Sequence, residues 1–226
     1  MCLVRVAVNV EQLLYRPPGG IGRYTQKLVT LLPRLFPDDE VVAFTARHRP
    51  GEIEAVWRSA FEDAPPATPP LPVPLPRPRP VLYEAWNTFG WPRLSQLSPG
   101  GLKHLDVVHA PSVAVPPTGR TPLVVTVHDV APVLFPDTVP RHGRWFHRRG
   151  LAAAARRADL VTPVSRAAAA EIEAHTKISP DRVRVVPNGV DHVEVSDDEV
   201  AAARARHGLA DAPYVLWVGS LEPGST

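Results

Sequence analysis

The sequence predicts an α/β fold, a mostly parallel sheet with helices on both faces. Apolar strand-like segments alternate with segments of helical periodicity, which is the pattern of right-handed βαβ units. The segment 123–130, Leu-Val-Val-Thr-Val-His-Asp-Val, begins with the continuous apolar run of a strand buried on both faces. The 226 residues suffice for one large domain, or for one domain and part of another.

The first half of the chain predicts two strand–helix pairs followed by a break. Residues 4–9 and 41–45 have strand patterns, and residues 21–35 and 52–61 have helical spacing. Many of the 28 prolines then fall within 65–80. Proline disrupts helices and central strands, so this block predicts an extended connector with polyproline character.

The segment after the proline block predicts a helix over 81–97 that Pro92 kinks or divides. Lipid or acceptor contact is an alternative use of its aromatic side chains, but core packing is the better expectation. The aromatic residues are Tyr83, Trp86, Phe89 and Trp91.

The second half continues the alternation of strands and helices. Helices are predicted over 141–157, from the cap Ser165 to His175, and over 197–207. Besides the strand that begins at Leu123, strands are predicted over 106–111, 159–164, 182–186 and 214–218.

His128 is the first candidate functional residue, because it follows a buried strand directly. In open α/β sheets the ligand crevice lies outside the carboxyl ends of the strands. An imidazole there can accept or donate a proton near neutral pH. The structural alternative is a histidine that bonds to a loop carbonyl.

A glycine-rich segment between the first strand and the first helix is the second candidate. Gly19, Gly20 and Gly22 allow close approach of a ligand to the backbone, and a helix N-terminus offers N–H groups to an anion. Arg23 lies in the first turn, where a cation opposes the helix dipole. A tight βα turn without function is the alternative.

Several classes of chemistry are disfavoured. Thr25 stands where a dinucleotide fingerprint requires its third glycine, and no acidic residue follows the second strand. The sequence contains no zinc-ligand spacing, no phosphate-binding P-loop and no Gly-x-Ser-x-Gly elbow. It also lacks an Asp-x-Asp pair, so any nucleotide-sugar chemistry is expected to be metal-independent.

Composition predicts a cytoplasmic protein that does not bind nucleic acid. The net charge is only +2, and the single cysteine, Cys2, excludes an internal disulfide and suits a reducing compartment. No apolar run approaches the ~20 residues of a membrane span, and the first residues lack a secretory pattern. The basic segment 141–157, with Trp145 and Phe146, suits peripheral contact with an anionic membrane at the inner face. Such a helix is more often a solvated face.

Six separated motifs, taken in order, resemble the family 4 retaining glycosyltransferases of GT-B fold, in particular the mannosyltransferase-like group. The motifs are Gly19-Gly20-Ile21-Gly22-Arg23-Tyr24, Val107-Val108-His109-Ala110-Pro111, Thr126-Val127-His128-Asp129, Ala158-Asp159 with Thr162-Pro163-Val164-Ser165, Val185-Val186-Pro187-Asn188-Gly189-Val190-Asp191, and Tyr214 to Pro223.

The resemblance implies two Rossmann-like domains facing across a cleft. The amino-terminal domain would mainly hold a carbohydrate or lipid-linked acceptor, and the carboxy-terminal domain a GDP- or UDP-sugar. Transfer of a hexosyl, by resemblance mannosyl, group with retention would need no cofactor or metal. Residues 1–195 would be the acceptor-side domain, and residues 196–226 an interdomain helix and the first strand of the donor-binding domain.

The resemblance also implies roles for individual residues. His128 would contact the donor sugar at the transfer point, and Gly20 and Gly22 would lie under the diphosphate. The other expected substrate-binding residues are Gly19, Arg23, Tyr24, Asp129, Ser165 and Asn188. A helix cap and a turn are the structural interpretations of Ser165 and Asn188.

After Glu222-Pro223, where the family usually has a basic pair, this chain has Gly224-Ser225-Thr226. We therefore expect the chain to be inactive alone. Two alternatives stay open: a non-catalytic binding module or degenerate remnant of the fold, and a nucleotide-sugar epimerase or dehydrogenase. The missing third glycine and acid oppose the latter.

Overall fold

The chain divides into two compact units, residues 1–187 and 188–226. The computed structural model describes residues 3–16, 18–62, 70–97, 100–209 and 213–216. The helices and strands below belong to these described residues.

Within the described residues of the first unit, six strands form one sheet in which every neighbouring pair is parallel. The strand order is β3-β2-β1-β4-β5-β6, which confirms the predicted α/β class. The strands are β1 (Arg5–Asn9), β2 (Glu40–Arg47), β3 (Val73–Pro78), β4 (Val107–Ala110), β5 (Leu123–Val127) and β6 (Leu160–Pro163).

Helices connect most of the strands, as βαβ units require, whereas residues 111–122 join β4 to β5 without a helix. Short 3-10 turns cover Glu11–Leu14, Pro136–Thr138 and Pro180–Arg182. The α-helices are α1 (Gly19–Leu35), α2 (Glu52–Ala60), α3 (Arg79–Phe89), α4 (Leu94–Leu97), α5 (Ala131–Leu134), α6 (Arg141–Arg157), α7 (Arg166–His175) and, in the second unit, α8 (Asp197–Arg206).

Alternate residues of β1 and β2 pack into two separate apolar clusters, because successive side chains of a strand point to opposite faces. Val41 and Ala43 of β2 pack with α1 and α2. Val42 and Phe44 of β2 pack instead in the cluster that contains residues of α3 and α6. β1 and β2 are therefore apolar on both faces. The prediction of two apolar faces for the strand at Leu123 is wrong, since Leu123, Val125 and Val127 share one cluster and the opposite face of β5 carries the polar Thr126.

The proline block is not a simple connector, which corrects the prediction for 65–80. Residues 73–78 form β3, at the edge of the sheet and paired with β2 alone. An edge strand uses only one side of its backbone for pairing, so it tolerates residues that lack an N–H. Residues 65–69 of the block lie outside the described residues.

The predicted helix over 81–97 is divided, and its aromatic residues separate into two groups. Gly90, with a left-handed φ of 67°, ends α3, and α4 begins after Pro92. Tyr83 and Trp86 are buried and stack with ring centroids 5.2 Å apart. The core interpretation is wrong for Phe89 and Trp91, which are 80% and 63% exposed because they lie at and beyond the end of α3.

Two further boundaries differ from the predictions. Gly19, Gly20 and Gly22 lie in the first turn of α1, which begins at Gly19, and not in a loop before the helix. Gly19 itself has a left-handed φ of 63°. The predicted strand over 182–186 forms only a single bridge to β6, between Val183 and Val161. The neighbouring Val185 and Val186 are 38% and 50% exposed, so this segment lacks the cover that a parallel strand needs.

The second unit contains α8, as predicted. Ser196 and Glu199 form a reciprocal capping box at its start. In the predicted strand over 214–218, residues 214–216 have no regular structure and residues 217–218 lie outside the described residues. The Arg204 guanidinium lies 5.7 Å from the centre of the Tyr214 ring.

A buried carboxylate joins β1, β2 and α3. Glu11, 1% exposed, accepts hydrogen bonds at Oε2 from Thr45 Oγ1 at 2.6 Å, the Ala46 N–H at 3.0 Å and the Tyr83 hydroxyl at 3.0 Å. Its Oε1 lies 2.8 Å from His48 Nε2, which donates because a carboxylate only accepts. Burial, with the Glu11 charge as the next cause, raises the pKa of Tyr83 well above its ordinary value, so Tyr83 stays a donor.

Glu11→Ala should lower the free energy of unfolding by about 3–5 kcal/mol, because several buried donors lose their acceptor at about 1–3 kcal/mol each. Glu11→Gln keeps one oxygen acceptor and should cost less. Urea denaturation measures both, with the exposed Glu54→Ala as control. Equal stabilities of Glu11→Ala and the control would contradict the structural role of Glu11.

Candidate active site

The strand order reverses between β1 and β4, and in open α/β sheets the ligand crevice is expected at such a switch point, at the carboxyl edge of the sheet. Gln12 follows β1, and Ser112 follows β4. Gln12 Nε2 donates to Ser112 Oγ at 3.2 Å, so a polar contact connects the two sides. Side chains from the ends of β4 and β5 and from α1 meet beside it.

Thr126, near the end of β5, is the centre of a hydrogen-bonded cluster. Its Oγ1 lies 2.8 Å from His109 Nε2, 3.1 Å from the Tyr24 hydroxyl and 2.9 Å from Thr162 Oγ1. A threonine hydroxyl donates one hydrogen bond and accepts two. All three contacts are satisfied together when two neighbours donate to Thr126 and it donates to the third.

His128 adjoins this cluster and bonds to the loop that follows β4. Its Nε2–H donates to the Pro111 carbonyl oxygen at 2.9 Å, which is the contact that the structural alternative expects. The Tyr24 ring meets the His128 ring edge-on, with centroids 5.3 Å apart. In the neutral ring the donor at Nε2 leaves Nδ1 as an acceptor, so His128 can still receive a hydroxyl hydrogen.

The titratable groups of the cluster favour their neutral forms. Burial, reinforced by the neighbouring His128, lowers the pKa of His109 to about 4. Burial also lowers the pKa of His128, against the opposing effects of the Pro111 carbonyl and Asp129. The pKa of the Tyr24 hydroxyl is raised by burial, with the Thr126 hydrogen bond opposing. At neutral pH the cluster is a set of uncharged hydrogen-bonding groups.

Part of the glycine-rich segment lies on a different surface from the cluster around Thr126. Gly19, Gly22 and Arg23 line a groove of about 780 Å³ between α1 and α2. A Cβ on Gly22 would lie 2.5 Å from Pro18 Cβ and 3.1 Å from the Gln12 carbonyl oxygen, so close packing requires this glycine. A Cβ on Gly20 would meet no heavy atom within 4 Å, so the space beside Gly20 is open.

The remaining predicted residues occupy ends of elements. Asp129 is exposed, and its Oδ1 accepts from the Ala131 N–H at 2.9 Å at the start of α5. Ser165 caps α7, with its Oγ accepting from the Ala168 N–H at 3.0 Å. Asn188 is an exposed residue of the second compact unit. The structure thus brings Tyr24 and His128 together, whereas Asp129 and Ser165 make separate local hydrogen bonds.

The sequence patterns missed Thr126 and Thr162 as members of the cluster. Each is a polar residue within an otherwise apolar strand, and this departure was the available signal. They occupy the same register position in paired strands, Thr126 opposite Thr162. His109 belongs to one of the six motifs but is not among the predicted site residues.

Among the described residues, no group of three or more His, Cys, Asp or Glu side chains is arranged to hold a metal ion. None of the helices described is both long enough and apolar enough to cross a membrane.

Sequence comparison with family models gives a match over most of the chain. Residues 18–194 match the model described as Glycosyltransferase Family 4. A search of curated protein sequences returned no match.

Comparison with solved structures finds a similar fold in HepE of Anabaena. Its complex with UDP and glucose is 17% identical, with a TM-score of 0.52 over 92% of this chain and 51% of HepE. Its complex with UDP-glucose has the same identity and TM-score and is covered over 50% of its length. The chain therefore spans about half the length of HepE, and the similarity shows the fold.

Stability should fall as the pH decreases from about 6.5 to about 4. In this window an unfolded chain protonates His109, whose ordinary pKa is 6.5, while the folded chain with a pKa of about 4 does not. The loss should approach ~3 kcal/mol, at about 1.4 kcal/mol per pH unit, and level off below pH 4. His128, whose pKa is also lowered, adds in the same direction.

Urea denaturation at several pH values measures this dependence, and the His109→Gln variant should show a flatter profile. An NMR titration of the folded chain gives the pKa of His109 directly. A midpoint near 6.5 would contradict the assignment.

Proposed function

The chain belongs to Glycosyltransferase Family 4, and we propose that it is the acceptor-side domain of an enzyme that transfers a hexosyl group from a nucleotide sugar. The family match over residues 18–194 is the observation that carries this proposal. The six-stranded sheet is one Rossmann-like half of a GT-B fold. The chain spans about half the length of HepE, so sugar transfer is proposed for an enzyme that contains this chain and not for these residues alone.

The proposed donor is a UDP- or GDP-sugar. HepE in complex with UDP-glucose supports the uridine nucleotide, and the resemblance to mannosyltransferases supports GDP-mannose. The proposed acceptor is a carbohydrate or a lipid-linked carbohydrate. A direct test is an assay of radiolabelled UDP-glucose and GDP-mannose with an enzyme that contains this chain, read out as label transferred to the acceptor.

The proposed reaction exchanges one bond for another with retention and without a metal. The bond from the anomeric carbon to the donor diphosphate breaks, and a bond from the acceptor oxygen to the same carbon forms. The acceptor hydroxyl proton leaves with the diphosphate. The negative charge that develops there needs donors fixed in advance, and the first amides of α1, at Gly19 and Gly20, are of this kind.

His128 is proposed to orient the donor sugar. Its Nε2–H is engaged by Pro111, so the neutral ring presents Nδ1 as an acceptor for a sugar hydroxyl. Tyr24, bonded to Thr126 and packed on the His128 ring, restricts that ring. Asp129, Ser165 and, in the second compact unit, Asn188 are each proposed to contact substrate, with Arg23 as a phosphate or acceptor contact.

A second candidate is that these residues bind ligand without catalysing transfer. The bond from His128 Nε2 to the Pro111 carbonyl oxygen favours it, because this is the contact of a structural histidine. Donor binding without transfer by an enzyme that contains the chain and a complete second domain would support this candidate over the first.

His128→Ala should lower kcat at least about a hundredfold in an active enzyme that contains residues 1–226, because the sugar loses an orienting group. His128→Gln retains an Nε2 donor for Pro111 and should still lose most activity, since Gln supplies no acceptor at the position of Nδ1. Steady-state kinetics and thermal melting measure both variants, with the His175→Ala variant on α7 as control.

Full activity of His128→Gln would show that His128 acts only through its hydrogen bond with the Pro111 carbonyl and does not orient the sugar. Equal losses of activity and of melting temperature would point to a folding defect.

Peripheral contact with an anionic membrane, at the inner face of the cytoplasmic membrane, is also proposed. A concavity of about 630 Å³ beside α6 is lined by Trp145 and four arginines, Arg141, Arg144, Arg148 and Arg149. Trp145 is 39% exposed, and the Arg149 guanidinium lies 4.2 Å from its ring centre. An exposed aromatic ring beside several cations suits the headgroup region.

The double variant Arg141→Gln, Arg148→Gln should bind phosphatidylglycerol vesicles at least about tenfold more weakly, at ~1 kcal/mol per cation near the surface. Co-sedimentation at low and high salt measures this, and Arg166→Gln on α7 is the control. Absence of wild-type binding at low salt would remove the membrane from the proposal.

A further inference from the structure

A second concavity, of about 760 Å³, lies where β2 and β3 end. β2 ends at Arg47, which is paired with Pro78 at the end of β3. Arg79 begins α3 directly afterwards. We call this concavity the arginine pocket, and its basic lining residues are Arg16, Arg47, His48, Arg49 and Arg79.

The arginine pocket carries an excess of positive charge. Among the described residues no carboxylate oxygen lies within 4.0 Å of the guanidinium group of Arg16, Arg47, Arg49 or Arg79. Glu52 also lines the pocket, but its Oε2 accepts from the Arg49 backbone N–H at 3.3 Å and lies 3.7 Å from His48 Nδ1. Four guanidinium groups thus face one carboxylate that already has other contacts.

Contacts with Glu11 and Tyr15 hold two residues of the lining in place. His48 donates from Nε2 to the buried Glu11, whose other oxygen is bound to β2 and α3. Arg79 is half-buried, and its guanidinium lies 4.6 Å from the centre of the Tyr15 ring. These contacts restrict His48 and Arg79 without neutralising Arg79, so an anion meets groups that are already ordered.

The chemistry of the lining matches a phosphate group. Guanidinium groups bind phosphate oxygens through two parallel hydrogen bonds and are less strongly hydrated than ammonium groups. The volume exceeds that of one phosphate, and Leu14, Tyr15 and Pro78 supply an apolar wall for the group that the phosphate carries. The nearly balanced charge of the whole chain, +2, argues against a polyanion such as nucleic acid.

We propose that the arginine pocket binds a phosphate ester or diphosphate carried by the acceptor. The identification of that molecule as the acceptor rests on the proposed function, whereas phosphate binding by the pocket does not. The pocket lies beyond β1 from the Tyr24–His128 cluster, on the same carboxyl edge of the sheet. It would therefore hold the acceptor by its charged end and leave the switch point for the sugar.

Calorimetric titration with inorganic pyrophosphate at low salt tests the site without any need for sugar transfer. The wild-type chain should bind pyrophosphate saturably in the arginine pocket. The double variant Arg47→Gln, Arg79→Gln should bind at least about tenfold more weakly, because two charge-assisted contacts are lost. Arg79→Lys keeps the charge but loses the fork, so its affinity should lie between the two.

Two controls make the result specific. Arg120→Gln removes an exposed cation just before β5, at the opposite edge of the sheet, and should change the affinity by no more than about twofold. His128→Ala should also leave pyrophosphate binding unchanged. Absence of saturable wild-type binding, or equal weakening in Arg120→Gln, would overturn the proposal, and weakening in His128→Ala would place the anion in the other cluster. Thermal melting confirms that each variant is folded.

Vesicles with and without phosphatidic acid identify the source of the phosphate. If the source is a lipid headgroup, the Arg47→Gln, Arg79→Gln variant loses affinity for the phosphatidic acid vesicles as well as for pyrophosphate. If the source is soluble, this variant loses affinity for pyrophosphate alone. Pyrophosphate binding by a chain that shows no sugar transfer would leave the pocket established and the transferase proposal in question.

Discussion

All paired strands of the described sheet run in the same direction, and this constraint governs where the chemistry of the molecule can lie. The residues that follow each strand therefore lie at one common edge of the sheet. Buried apolar side chains occupy both faces of β1 and β2, and the polar clusters lie at or near the ends of the strands. The strand order reverses between β1 and β4, where a ligand crevice is expected in such a sheet, and Gln12 and Ser112 form a polar contact there.

The two halves of this edge differ in electrostatic character. Beyond β4 the groups are neutral at physiological pH, because burial opposes protonation of His109 and His128. Beyond β2 the arginine pocket keeps its charge, since guanidinium groups are hardly ever deprotonated. A neutral cluster suits the hydroxyl groups of a sugar, and a cationic pocket suits an anion. A molecule that carries both sugar hydroxyl groups and an anionic group would reach across β1 from one site to the other.

The arginine pocket and the cluster around Thr126 are each ordered by hydrogen bonds within the protein. Glu11 fixes His48 from beneath the arginine pocket, while Thr126 connects His109, Tyr24 and Thr162. Buried polar groups of this kind are costly unless each finds a partner. The same contacts that satisfy the buried groups therefore also hold the rings in fixed orientations.

The sequence alone determined the α/β class, the main strands and helices and the position of His128 after a buried strand. Periodicity and composition carry this information locally. Only the tertiary structure decided that the prolines of residues 73–78 form an edge strand, since an edge is defined by the absence of a neighbour. The partners of Thr126 and Glu11 were also beyond the sequence, because they lie 17 to 102 and 34 to 72 residues away. Spatial proximity of residues so distant along the chain follows from strand order and register, which local patterns do not encode.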